Sequence, residues 1–155
     1  MNKSKATYSA FDTAAYYITY KDRTEKEVYD KLREKGYSSQ DIEESIQKLK
    51  MYGYLSDENY TLSYIKSNIN KKGVRRISME LAQKGIHRDI ISGQLDEITV
   101  DEVGTIEEIL YKRYRNIDFS DETQKRRAYG YFMRRGFKQD SISKAITNYK
   151  KNNEL

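Results

Sequence analysis

The sequence contains no cysteine, no proline and only one histidine, His87. Without cysteine the chain has no disulfides, no thiolate metal site and no cysteine nucleophile. Without proline it lacks the strongest helix breaker. Neither a phosphate-binding loop nor a Gly-x-Gly-x-x-Gly motif occurs. We therefore expect a protein that is not an enzyme and that uses no metal and no cofactor.

Pairs of adjacent acidic residues are the remaining source of acid and base chemistry or magnesium binding. Each is better explained as a helix cap, or as a first-turn acid at the positive end of the helix dipole. His87 follows an expected helix end, and we interpret it as a solvated turn residue. The pairs include Asp57 with Glu58, Asp96 with Glu97, Asp101 with Glu102, and Glu107 with Glu108.

Long hydrophobic runs are missing as well. No run approaches the roughly 18 apolar residues of a transmembrane helix. Residues 1–10 are polar with scattered lysines, unlike a secretory signal peptide. We expect a cytoplasmic, monomeric protein without membrane association. Regularly spaced Leu and Ile and 15 tyrosines among 155 residues indicate a folded chain with a thin core.

The net charge is small, but its distribution is uneven. The chain has 29 basic and 24 acidic residues, which give a net charge of +5. Residues 105–155 hold 12 basic and 7 acidic residues, so the whole excess lies in the last third of the chain. This third would attract a polyanion or an acidic protein surface.

Three glycines mark an internal repeat. Gly36, Gly85 and Gly136 are 49 and 51 residues apart. Aligning them brings the flanking apolar residues into columns without a gap. The columns follow the helical period, so each repeat contains a helix, a glycine turn and a second helix. The columns are Val28, Ile77 and Ala128; Leu32, Leu81 and Phe132; Tyr37, Ile86 and Phe137; Ile42, Ile91 and Ile142; and Ile46, Leu95 and Ile146.

Each glycine is predicted to end its helix in a left-handed conformation. In a Schellman ending, the residue after the glycine packs on the residue four before it. All three such pairs are apolar: Leu32 with Tyr37, Leu81 with Ile86, and Phe132 with Phe137. Helix starts are predicted at two capping boxes, Thr24 with Glu27 and Thr105 with Glu108, and Asp57 is predicted to cap a further helix.

A further apolar stretch precedes each helix pair, so the sequence predicts an all-α fold of three tandem three-helix repeats. We expect nine helices of roughly 8 to 16 residues. One repeat alone buries too little surface for stability, so neighbouring repeats should share a core in an elongated array. The expected divisions are a tail at 1–9, repeats at 10–55, 56–104 and 105–151, and a tail at 152–155.

Alignment of the repeats separates structural cations from candidate binding cations. Lys35, Lys84 and Arg135 directly precede the glycines, where a cation compensates the negative helix end. Columns nine and ten residues before each glycine point away from the core. They form either a row of spaced cations that binds a polyanion or a repetitive protein surface, or a solvated helical face. The candidate binding residues are Lys26, Arg75, Arg76, Lys112, Arg113, Arg126, Arg127 and Arg134.

Tyrosines near these cations have two interpretations. They stack on nucleic-acid bases, as aromatic residues do in single-strand binding proteins, or they are half-buried packing residues with the hydroxyl in water. The tyrosines are Tyr29, Tyr111, Tyr114, Tyr129 and Tyr131.

Six segments form a pattern through their order and spacing. They are RTEKEVYDKLREKG at 23–36, GYLSDENY at 53–60, GVRRI at 73–77, EL at 80–81, KGI at 84–86 and RRGF at 134–137. This pattern resembles the RecX family of regulators of the RecA recombinase, over about residues 10–150. The resemblance implies that the three repeats form a curved, right-handed array. It further implies a protein that binds RecA filaments on DNA and mostly inhibits strand exchange and filament growth. It also implies contact with single- or double-stranded DNA and no catalytic residues. Direct DNA binding without RecA is the alternative.

Overall fold

The fold, seen in a computed structural model that describes residues 8–153, consists of nine α-helices and no strands within that range. The helices contain 9 to 15 residues. This confirms the all-α fold of three three-helix repeats. The helices are α1 Ala10–Thr19, α2 Glu25–Glu34, α3 Ser39–Met51, α4 Asp57–Asn68, α5 Val74–Gln83, α6 Arg88–Asp96, α7 Glu102–Arg113, α8 Glu122–Arg134 and α9 Gln139–Asn153.

Several expectations about the chain as a whole stay predictions. The division into tails and repeats and the elongated, curved, right-handed form are among them. Of the two expected tails, residues 1–7 and 154–155 lie outside the described residues.

The chain forms two compact units, one of Met1–Ser63 with Leu81–Gln94 and one of Tyr64–Glu80 with Leu95–Leu155. The middle repeat thus contributes to both. In the first unit α1, α2 and α3 enclose a core around Leu32, and in the second α7, α8 and α9 enclose a core around Phe132. Of the fifteen residues in the predicted apolar columns, all are buried except Tyr37 and Leu95, which are half-buried.

The three repeat glycines have the predicted left-handed conformation, with φ of 90° at Gly36, 87° at Gly85 and 84° at Gly136. After each, the next backbone N–H donates to the carbonyl of the residue four before the glycine, at 3.1–3.2 Å. Gly53, at φ 75°, ends α3 in the same way. The sequence contains the same pattern at Gly53, since Leu49 and Tyr54 flank it with the spacing seen at the other three glycines. The repeat alignment did not include this glycine.

The predicted cap at Thr24 is confirmed, because its hydroxyl accepts the Glu27 N–H at 3.1 Å. The second predicted start is wrong. Helix α7 begins one turn earlier, where Asp101 accepts the Gly104 N–H at 2.9 Å. Thr105 lies inside the helix and donates to the Asp101 carbonyl at 3.0 Å. Since aspartate caps as well as threonine, the earlier start adds a hydrogen-bonded turn without losing a cap.

Two buried carboxylates connect consecutive repeats. Asp57, the first residue of α4, accepts the Glu25 N–H at the start of α2 at 2.9 Å. Glu102, the first residue of α7, accepts the Val74 N–H at the start of α5 at 2.8 Å. Helix α4 therefore supplies an anion to the positive end of α2, and α7 supplies one to the positive end of α5. Asp57 was predicted to cap a further helix, and the helix it caps is α2, while Ser56 caps α4.

Candidate interaction surface

The end of α7 and the start of α8 enclose a groove with a volume of about 400 Å³. Helix α7 ends at Arg113, and residues 114–121 connect it to α8. We call this feature the arginine groove. It is lined by Arg113, Tyr114, Arg115, Asn116, Ile117, Gln124 and Arg127.

Aromatic rings hold the cations beside this groove. The Arg113 guanidinium carbon lies 4.7 Å from the centroid of the Tyr131 ring, and that of Arg135 lies 4.9 Å from the same centroid. The Tyr114 ring packs edge-on against Tyr131 at 5.8 Å. A cation over an aromatic face is attracted by the ring quadrupole. Tyr131 therefore organises two arginines without neutralising either of them.

The arginine groove carries uncompensated positive charge. Among the described residues, Arg113, Arg115 and Arg127 form no ion pair, and all three are exposed. None of the residues that line the groove is acidic. The groove can therefore accept an anionic group without first breaking an internal ion pair.

Three candidate cations lie on α8 and are exposed: Arg127, already named in the groove, together with Arg126 and Arg134. Arg127 and Arg134 are seven residues apart, which puts them two turns apart on the same helix face. Between them lies Gly130, whose missing side chain leaves room for the Arg134 guanidinium: a Cβ there would lie 2.9 Å from its terminal nitrogen. Arg127 is thus shared by this helix face and by the arginine groove.

Arg76 is partly exposed, but it is not the free outward cation that the repeat alignment predicted. Its Nε donates to Glu80 Oε1 at 2.9 Å, and its terminal nitrogen donates to the Arg134 carbonyl at 3.2 Å. Its Cβ lies against the backbone of Gly136. Helical periodicity describes α5 alone, and so it cannot reveal the turn between α8 and α9 that covers this position. Arg75, its neighbour, is exposed as predicted.

Glu80 is the centre of this half-buried ion cluster. Burial raises the pKa of its carboxyl, but hydrogen bonds from Tyr64, Lys72 and Arg76 outweigh that effect and lower the pKa to about 2. Lys72 Nζ lies 2.9 Å from Glu80 Oε2. The cluster therefore fixes Arg76 in place, and we assign Arg76 a structural role.

Lys26 and Lys112 are not among the residues that line the groove. Lys26 pairs with Asp30 at 2.7 Å, and its alkyl chain lies against Gly85. Lys112 pairs with Glu108 at 2.6 Å on the surface of α7. Of the predicted candidates, the groove therefore unites Arg113 and Arg127.

Two arginines at or beside the groove were not among the predicted binding residues. Arg115 lies past the end of α7, outside the repeat columns, although it continues the basic run begun by Lys112 and Arg113. Arg135 was assigned to helix-end compensation. It also donates to the Lys71 carbonyl at 3.3 Å.

The tyrosines near these cations are engaged within the protein. Tyr114 and Tyr131 are half-buried and contact each other, and the Tyr129 hydroxyl lies 2.9 Å from Ser143 Oγ. Tyr111, 43% exposed, packs edge-on against Tyr149 at 5.2 Å. These contacts favour packing over base stacking. Tyr29 packs against the core of the first unit.

Other chemistry is sparse in residues 8–153. No group of three or more acidic or histidine side chains there could hold a metal ion. His87 lies in an exposed turn, as predicted, where its Nδ1 accepts the Asp89 N–H at 3.1 Å. None of the helices in this range is long and apolar enough to cross a membrane.

Three-helix repeats with exposed arginines that form no ion pair among the described residues define a helical-repeat protein with a cationic surface. Family models match each repeat: RecX, first three-helix domain, at residues 10–49; RecX, second three-helix domain, at 56–93; and RecX, third three-helix domain, at 101–146. The chain belongs to the RecX family, whose curated members are named regulatory proteins.

Individual relatives agree with this assignment. The regulatory protein RecX of Clostridium perfringens (strain 13 / Type A) is 36% identical over 138 residues, which are 84% of this chain and 64% of the relative. That of Legionella pneumophila (strain Corby) is 33% identical over 144 residues, 91% of this chain and 95% of the relative. The chain thus spans just under two thirds of the first relative and almost all of the second.

A solved structure supports the fold. The crystal structure of RecX from Lactobacillus salivarius matches with a TM-score of 0.78 and 30% sequence identity, over 91% of this chain and 94% of that one.

Proposed function

We propose that this protein binds RecA filaments on DNA and restrains their recombinase activity in DNA repair and the damage response. It acts in the cytoplasm, as a monomer and by binding rather than by catalysis. Membership in a family of regulatory proteins supports the proposal. The observation that carries it is the set of exposed arginines on α8, Arg126, Arg127 and Arg134.

These arginines suit a filament of protein and DNA for a physical reason. Exposed guanidinium groups bind carboxylates and phosphates through two parallel hydrogen bonds, and both groups occur on such a filament. The electrostatic potentials of these neighbouring charges add up, and the sum attracts a large anionic partner.

The test measures RecA directly. ATP hydrolysis and strand exchange by RecA on single-stranded DNA are followed with and without this protein. The proposal expects both rates to fall as the protein is added in amounts comparable with RecA. Unchanged rates over that range would contradict it.

The second candidate is direct DNA binding without RecA, which the same exposed arginines favour. The two functions differ in salt dependence. Binding to single-stranded DNA through a few arginines weakens by roughly 0.7 log unit per phosphate contact for each tenfold rise in salt, and binding to duplex DNA by about 0.9. Binding to the filament through a mixed protein surface depends less on salt. Tight binding to DNA alone, with the steeper slope and no effect on RecA, would favour the second candidate.

A further inference from the structure

The arginine groove shares Arg127 with the exposed face of α8 but also contains Arg113 and Arg115, which lie outside that helix. Its three guanidinium groups present planar pairs of N–H donors, which match the two oxygens of a carboxylate or phosphate. None of the three forms an ion pair with a residue that the structure describes. An anionic ligand is therefore expected there.

The acidic residues of the adjoining connector do not neutralise the groove. Asp118 accepts from both the N–H and the hydroxyl of Ser120, at 2.9 and 2.6 Å. These bonds lower the pKa of Asp118, so it stays ionised but turned toward its own loop. Asp121 accepts from Gln124 Nε2 at 3.1 Å and from the Thr123 N–H at 2.9 Å.

The same bonds hold one wall of the groove in place. Gln124 donates to Asp121 while its side-chain oxygen accepts the Asp118 N–H at 3.0 Å. A wall fixed by such bonds loses little conformational entropy when a ligand binds.

The aromatic rings of the groove argue against a nucleotide base as the occupant. Tyr114 contacts the rings of both Tyr131 and Phe132, and Tyr131 is flanked by two guanidinium groups. Stacking of a base needs a free ring face. What the groove offers beside its arginines is an apolar surface, to which Ile117 contributes.

We propose that the arginine groove binds a short acidic segment of a partner protein, in which two carboxylates flank an apolar side chain. Arg113 and Arg127 bind the carboxylates, and Ile117 contacts the apolar side chain. This goes beyond the proposed function, because it names the class of peptide that the groove recognises, whichever protein supplies it.

A selection from a random peptide library displayed on phage tests the proposal. The full chain is the target, and the Arg113→Ala/Arg127→Ala variant removes peptides that bind elsewhere. We expect the selected peptides to be enriched in pairs of acidic residues around an apolar one. Their affinity for the variant should fall about tenfold or more, which corresponds to about 1.4 kcal/mol.

Two further variants sharpen the test. Arg126→Ala/Arg134→Ala removes the same charge from α8 outside the groove and should bind the selected peptides normally. Arg113→Lys/Arg127→Lys keeps the charge but loses the planar donors, so the peptides should bind it more weakly than the parent chain. All variants are first compared with the parent chain by circular dichroism, since the affinities are read only on variants that keep its helical signal.

Two outcomes overturn the proposal. In the first, the selected peptides have no excess of acidic residues, or they bind the parent chain and the groove variant with equal affinity. In the second, no acidic peptide is selected, and a fluorescent oligothymidylate binds the groove variant more weakly than the parent chain. That result would show that the groove binds nucleic acid. If acidic peptides bind the groove but this protein has no effect on RecA, only the proposed function is refuted. Inhibition of RecA without such peptides would refute the groove proposal alone.

Discussion

Glu102 accepts a hydrogen bond from the backbone N–H of Lys138, at 3.1 Å, just before α9 begins. Its other carboxylate oxygen accepts the Val74 N–H at the start of α5, at 2.8 Å. One buried side chain thus satisfies donors at the starts of two helices while it begins a third. The second and third repeats are joined here by an anion at two positive helix ends.

Replacement of Glu102 by alanine should therefore destabilise the protein. Two partly buried N–H groups would lose their acceptors. Leaving a fully buried N–H without a partner costs about 1–3 kcal/mol, which sets an upper bound for each of these groups. Urea denaturation measures the free energy of unfolding. The matched control is Glu108→Ala, on the same helix but exposed and paired only with Lys112, which should change stability by about 0.5 kcal/mol or less. Equal losses in both variants would contradict the double cap.

Substitutions of the repeat glycines should differ in their cost although the backbone angles are alike. Gly36→Ala meets no atom within 4 Å and should lose about 1–2 kcal/mol, the penalty of the left-handed conformation. Gly136→Ala should lose clearly more, because a Cβ there would lie 2.4 Å from the backbone nitrogen of Arg76. Thermal and urea unfolding of both variants measure the difference. Equal stabilities of the two variants would mean that Arg76 lies farther from the Gly136 turn than the structure shows.

Leu81 supports the core of the middle repeat. It is fully buried, and the Ile86 N–H donates to its carbonyl at 3.1 Å in the glycine turn. Leu81→Ala should cost about 2–5 kcal/mol, since a buried leucine is replaced by a cavity. Met79→Ala, on the same helix but 55% exposed, serves as the control and should cost much less. Denaturant midpoints that are similar for the two variants would rule out the burial of Leu81.

The Glu80 cluster should make the free energy of unfolding depend on pH. The pKa of Glu80 in the folded state, about 2, lies below the ordinary value of a glutamate. Its contribution is therefore fully present above pH about 5 and is lost as the pH falls toward about 2. Unfolding by urea at a series of pH values should show a steeper loss for the parent chain than for Glu80→Gln. Parallel curves for the two proteins would exclude this contribution.

Reversal of charge on α8 tests the proposed binding face. Arg126→Glu/Arg134→Glu should keep the helical signal, because exposed charges seldom change stability by more than about 0.5 kcal/mol each. It should weaken binding to RecA filaments at least about tenfold, which needs about 1.4 kcal/mol. The control is Lys144→Glu/Lys151→Glu, which changes the net charge equally at exposed positions of α9. Equal effects in a filament pelleting assay would show that overall charge, rather than this face, controls binding.

The local features of this protein are determined by its sequence. The spacing of three glycines and their apolar neighbours predicted the helix pairs, the left-handed turns and nearly all of the buried columns. These features depend on residues within a few positions of one another, and the helical period relates such residues directly. The exposure of Arg126, Arg127 and Arg134 followed from the same period.

The roles of residues that meet across the fold were decided only by the tertiary structure. Arg76 has the register of a surface cation, yet the turn at Gly136 covers it and Glu80 binds it. Glu102 reads as a first-turn acid of its own helix, yet it caps two others. The arginine groove combines the end of one helix, an irregular connector and a later helix. Periodicity orders residues along one helix axis, and it carries no information about which distant backbone donor or carboxylate will lie beside them.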